Sequence, residues 1–219
     1  MKVLLFGASG MVGQGVLREC LLDPDVTSVL SIVRRPTGVR APKLREIVHP
    51  DFLDFSPIES DLSGLDACFF CSGVSSSGMS ERDYRLVTRD QTLAAAGTLA
   101  RLNPNMTFVY VSGAGTDASE KGRTMWARVK GETENALLRL PFAAAYMFRP
   151  GLIQPLHGIR SKTRLYRILY TLLAPVLPLL RRMLPGSVTT TGQVGRAMIA
   201  VARHGRPKRI LETSDINAA

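Results

Sequence analysis

KVLLFGASGMVGQGVLRECLLD, residues 2–23, decides the fold. A short apolar run ends at Gly7, and glycines spaced three apart, Gly7, Gly10 and Gly13, lead into a stretch where Val12, Val16, Leu17 and Cys20 recur at helical spacing. The pattern predicts a strand, a tight turn and a helix. Such a turn lets backbone approach a ligand closely and points free helix amides at it, which is how a pyrophosphate is held. A glycine pattern alone is weak; the strand before it and the helix after it supply the context that the motif demands.

Working outward, SVLSIV (28–33) follows the turn signal DPD (23–25), and REIVH (45–49), ACFFC (67–71), TFVYVS (107–112) and AAYMF (144–148) read as further strands. ERDYRLVTRDQTLAAAGTLARL (81–102) predicts one long helix, and a second runs from TMWARVKGE (124–132) to Leu140. Near-continuous apolar strands alternating with helices predict an α/β, doubly wound parallel sheet covered on both faces. Beyond Pro150 come Pro-rich apolar segments with clustered arginines, then an amphipathic helix around VGRAMIAVARHG (194–205). The chain is expected to form one domain, 1–219, with 151–219 as a small, basic, partly helical C-terminal cap on the substrate side, the carboxyl end of the sheet where such folds bind ligands.

The formal net charge of +10 is unevenly placed. Residues 1–150 carry 17 Lys+Arg against 16 Asp+Glu, whereas residues 151–219 carry 11 against 2. Either the tail meets something anionic or it is a solvated basic face. Nucleic acid is disfavoured, because no recognition motif or array of stacking aromatics accompanies the charge. Three cysteines, Cys20, Cys68 and Cys71, are too few for a disulfide framework. Cys68 and Cys71 lie three apart on a strand and face opposite ways, so no metal site is expected. The opening apolar run is too short for a secretory signal, and 168–180 is too short and proline-interrupted to span a bilayer, so the expectation is a cytoplasmic protein.

At the end of the second strand, where an NAD-binding fold places an acid against the ribose, stand Arg34 and Arg35. Two guanidiniums suit a 2′-phosphate by charge and by bidentate geometry, favouring NADP(H) over NAD(H); a pair of solvated loop arginines is the alternative.

GASGMVG (7–13), CSG (71–73), YVSG (110–113), W-x-x-x-K-G-E-x-E-N (126–135) and FRPGLI (148–153) together resemble an atypical short-chain dehydrogenase/reductase of the epimerase-like group, over most of the chain. The resemblance implies a Rossmann-type fold, with Gly7, Ser9, Gly10, Met11, Val12 and Gly13 at the cofactor phosphates and Arg34 and Arg35 at the adenosine end. Asp51 and Phe52 match the adenine-flanking position. Cys71, Ser72 and Gly73 would border the cofactor ribose, and Pro150 and Ile153 the nicotinamide. Ser112 matches the family's catalytic serine, expected to polarise the substrate, and Lys130 the lysine that holds the nicotinamide ribose.

Trp126 departs from the pattern by standing where that family has its catalytic tyrosine. A phenol gives a proton to a carbonyl oxygen as hydride arrives; an indole N–H donates a hydrogen bond but does not release its proton near neutral pH. Three outcomes stay open: Ser112 and a water supply the proton, another tyrosine (Tyr84, Tyr166, Tyr170 or, less well placed, Tyr110) reaches in, or the protein binds cofactor without turnover. The leading expectation is an NADP(H)-binding oxidoreductase or epimerase-like enzyme acting on a small carbonyl compound, anionic if the tail's arginines hold it. The alternative is a catalytically impaired NADP(H)-binding regulatory or interaction protein. For residues 160–184 three readings stand: a substrate lid, a peripheral membrane contact, or a segment packed on the sheet or on a second subunit of a homodimer.

Overall fold

A computed structural model describes residues 1–159 and 186–219. The glycine turn separates β1 (Lys2–Phe6) from α1 (Met11–Leu22) as the sequence predicts. β2 (Ser28–Val33), β3 (Leu44–Val48), β4 (Ala67–Phe70), β5 (Thr107–Val111) and β6 (Ala144–Arg149) follow, each close to its expected run. These strands and β9 (Ile210–Glu212) pair in the order β3-β2-β1-β4-β5-β6-β9, all parallel. The sheet is buried on both faces, which is why its strands read as apolar runs rather than as alternations.

One face carries Val3, Leu5, Phe69, Val109 and Phe148 against α1 and α5 (Thr191–His204). The other carries Leu4, Phe6, Phe70, Phe108 and Met147 against the helices between β4 and β6. Cys68 belongs to the second face and Cys71 packs against the first, as their spacing requires.

Three features differ from the sequence reading. The expected long helix is α2 (Glu81–Arg85), a π-helical turn (Leu86–Asp90) and α3 (Gln91–Leu102). Such a turn absorbs one residue of register inside a helix that otherwise runs on. The helix that carries Trp126 and Lys130, α4, spans Met125–Leu138. The C-terminal region is also more than a cap: β9 extends the main sheet at its β6 edge, and α5 covers one face. A three-residue strand is too short to show a period. β7 (Leu152–Gln154) and β8 (Val188–Thr190) form a separate parallel pair, and α6 (Thr213–Asn217) closes the described chain.

No helix among the described residues is long and apolar enough to cross a membrane. Residues 160–184, with Tyr166 and Tyr170, for which a lid, a membrane contact or a packed segment is expected, lie outside the described residues.

Candidate functional site

The glycine turn is closed by the Gly10 N–H donating to the Gly7 carbonyl at 2.8 Å, and α1 begins immediately after. Gly7 has φ +80°, and a Cβ there would lie 2.6 Å from the Cys71–Ser72 peptide bond. At Gly13 a Cβ would overlap the Gly7 carbonyl oxygen. The turn is therefore pressed against the end of β4 and against its own helix. The first-turn amides, at Met11, Val12 and Gly13, have no intrahelical acceptor.

A cavity of about 1140 Å³ opens there. Gly7, Ala8 and Ser9 of the turn line it, with Ser72 after β4, Ile32 to Thr37 at and beyond the end of β2, and Phe52. Leu17, Arg18, Leu21 and Leu22 of α1 form a further wall, reached because residues 34–43 connect β2 to β3 without a helix. Arg34 and Arg35 are exposed on the cavity rim, and neither makes an ion pair among the described residues. Phe52 is buried edge-on against Phe6, with ring centroids 5.7 Å apart. Asp51 is exposed, does not line the cavity, and accepts the Leu53 N–H at 2.9 Å, so of that pair Phe52 alone meets the cavity.

Ser112 and Pro150 follow the ends of β5 and β6, Lys130 reaches Ser112 from α4, and none of the three lines this cavity. The Ser112 hydroxyl donates to Glu134 Oε1 at 2.5 Å and lies 3.1 Å from the Phe148 carbonyl. Both neighbours are acceptors, so the hydroxyl's single proton is directed inward. That geometry runs against the expectation that Ser112 donates to a substrate oxygen. Glu134 is fully buried, and Arg149 at the end of β6 completes its coordination through Nε (3.1 Å to each oxygen) and Nη2 (2.5 Å to Oε2). Arg149 also reaches Glu212, its register partner on β9, at 3.4 Å.

Lys130 lies one helical turn before Glu134 and donates its Nζ to the Ser112 carbonyl. The residue keeps some exposure, yet burial of its ammonium lowers the pKa from 10.5 to about 8, against the opposing pull of Glu134. Gly131 follows because the loop at Asp117–Ala118 crosses the helix there; a Cβ would overlap the Asp117 carbonyl. The Trp126 ring, half-buried, lies beside Gly115.

Pro150 is buried and accepts the Ala114 N–H at 2.9 Å, and Ile153 is buried on β7 in register with Thr189. Gly73 is exposed next to Ser72. Neither described tyrosine offered as a substitute donor reaches the site's surface: Tyr84 and Tyr110 are 2% and 1% exposed. Burial, then the neighbouring Tyr84 and Glu134, pushes the Tyr110 phenol far above its usual range.

The sequence reading did not assign roles to Glu134, Arg149, Thr37 or Glu46. The spacing of Lys130 and Glu134, four apart on one helix face, was the available signal for the first.

A parallel sheet of this order, with a glycine turn between its central strand and α1, is the fold of NAD-binding epimerases and reductases. The chain has the fold of NAD-binding epimerase-like enzymes. Among solved structures it superposes on the Bordetella bronchiseptica enzyme WbmF in complex with NAD+ (TM-score 0.67, 14% identity, 99% of this chain and 76% of that one). It also superposes on a thiolation-reductase di-domain from an archaeal non-ribosomal peptide synthetase (TM-score 0.71, 13% identity, 97% and 70%).

The particular family is given by sequence. The chain belongs to the fmp52 family: it is 32% identical over 170 residues to the mitochondrial protein fmp52 of Emericella nidulans, covering 74% of this chain and 70% of that protein. Protein HTATIP2 of Rattus norvegicus is 27% identical over 155 residues, covering 69% and 62%. No family model matches the chain. The cytoplasmic expectation does not stand, because the fmp52 relatives of Emericella nidulans, Aspergillus terreus and Eremothecium gossypii are named as mitochondrial proteins.

Proposed function

We propose that the protein binds NADP(H) and acts as an oxidoreductase on a small carbonyl compound. The observation that carries this reading is the cavity between the glycine turn and the end of β2, with two guanidiniums free of ion pairs among the described residues on its rim. The glycine cradle fits a pyrophosphate in that Gly7 and Gly13, where a Cβ would strike backbone, keep the turn tight at the N-terminus of α1, the arrangement that holds such a group. Arg34 and Arg35 supply the charge that a 2′-phosphate calls for. The NAD bound in WbmF supports a nicotinamide dinucleotide as the ligand class. The single-domain reading, and a substrate-side role for 151–219, belong to the same proposal.

When bound, the reduced cofactor would supply hydride. Lys130, anchored on the Ser112 carbonyl, would position the nicotinamide ribose. With Trp126 unable to release a proton and the Ser112 proton directed to Glu134, the Lys130 ammonium is, among the described residues, the titrating proton source at this end of the sheet. Those same features favour a second reading, an NADP(H)-binding regulatory protein with little or no turnover.

Titration of the purified protein with NADPH and NADH, read by the fluorescence of Trp126, the chain's one tryptophan, tests the cofactor. NADPH is expected to bind with preference, and Arg34→Ala to lose that preference. Binding of neither nucleotide, checked by calorimetry, would sink the reading. NADPH consumption with a panel of small aldehydes and ketones, abolished by Lys130→Ala, separates the enzyme from the regulatory protein.

A further inference from the structure

Residues 34–43 carry the chain from β2 to β3 in a loop, and β3 is the edge strand of the sheet. Folding thereby sets an acid against the loop that follows the arginine pair. Glu46 is in register with Ser31, two residues before Val33 ends β2 and Arg34 begins the rim. A carboxylate left free beside this loop would repel a ribose phosphate by like charge. It would also pair with the guanidiniums and occupy them.

Thr37 prevents this. Its backbone N–H donates to Glu46 Oε2 at 3.1 Å and its hydroxyl to Oε1 at 2.5 Å, so one residue engages both carboxylate oxygens. The same hydroxyl accepts the Val39 N–H at 3.2 Å, which ties down the far side of the loop. Thr37 itself lines the cavity, between Arg35 and Val39, so the clasp stands at the wall where the arginines emerge.

We infer that Thr37 is a specificity-determining residue for the cofactor: by clasping Glu46 it removes the competing acid and fixes the loop that presents Arg34 and Arg35 to a 2′-phosphate. This rests on the NADP(H) reading above and adds to it the residue that sets the preference. Thr37 touches the cavity but acts through Glu46, so an uncharged partner should make its hydroxyl dispensable. A merely structural role would not show that dependence on charge.

The test is the affinity of the full chain for NADPH and for NADH, by Trp126 fluorescence and calorimetry, in wild type, Thr37→Val, Thr37→Ser and the double variant Thr37→Val with Glu46→Gln. Thr37→Val is expected to reduce the NADPH-over-NADH preference about tenfold, the scale of one charge-assisted contact. Thr37→Ser should keep the preference, and the double variant should regain it. A folded Thr37→Val protein with wild-type preference overturns the inference. So does a double variant that stays as poor as Thr37→Val, since the loss is then not electrostatic. Should Thr37→Val not fold, Thr37→Ala deletes the same hydroxyl and carries the same expectation. Wild-type protein that binds neither nucleotide is a separate result, which removes the NADP(H) reading and this inference with it.

Discussion

The hydroxyl of Ser112 and the carboxylate of Glu134 lie 2.5 Å apart, with the serine donating. The bond joins the end of β5 to the middle of α4 and runs on through Arg149 to the end of β6. Three elements at the carboxyl edge of the sheet are fastened to one buried carboxylate, the same edge where Lys130 is held.

Removing that carboxylate leaves the Arg149 guanidinium, nearly buried, with only the weaker Glu212 contact. Glu134→Ala is therefore expected to destabilise the protein by about 3 kcal/mol, the scale of an orphaned buried charge. Ser112→Ala, which leaves Glu134 bound to Arg149, should cost about 1 kcal/mol. Urea denaturation of both variants checks the order; equal losses would mean that Arg149 contributes nothing to the network.

Lys130 gives a pH signature. Its folded pKa of about 8 lies below its ordinary 10.5, so between these values the unfolded chain binds more protons than the folded one. Stability contributed by this site then rises with pH across that window, and burial of the charged form is unfavourable below it. The stability of wild type relative to Lys130→Met should rise from pH 8 towards pH 10, measured by chemical denaturation at each pH. A flat difference would mean that the ammonium is not desolvated.

Trp126→Tyr restores a hydroxyl that can release a proton. If Trp126 stands at the proton-donor position, NADPH-dependent reduction of a small aldehyde should rise by about 10² or more, the usual worth of positioned proton transfer. An unchanged rate in a folded variant that binds NADPH would place the proton source elsewhere.

The glycine contacts are tested directly by alanine. Gly13→Ala sets a methyl against the Gly7 carbonyl, and Gly131→Ala sets one against the Asp117 carbonyl. Each should lower stability by about 2 kcal/mol or more, because backbone atoms, not flexible side-chain ends, must move. Thermal melting reads both, and Gly13→Ala should in addition lose nucleotide binding.

Much of this fold was legible because its signals are local. Buried parallel strands appear as apolar runs, and the Gly7–Gly13 turn carries its own steric reason. The π-helical turn at Leu86–Asp90 was not legible, since its five residues are too few to set a one-residue slip of the apolar pattern apart from ordinary irregularity. Nor was β9, whose Ile-Leu-Glu is strand only because β6 offers an open edge.

The sequence by itself determined the layered parallel sheet, the glycine cradle, the arginine pair after β2 and the tryptophan in place of a tyrosine. Only the tertiary structure decided which acids those groups meet. Ser112 meets Glu134, 22 residues away, and Glu46 meets Thr37, two residues after the arginine pair. The physical reason is that hydrogen-bond partners across a parallel sheet are set by strand register and helix crossing. These join residues far apart in the chain, while the patterns readable in a sequence arise from neighbours within a few turns.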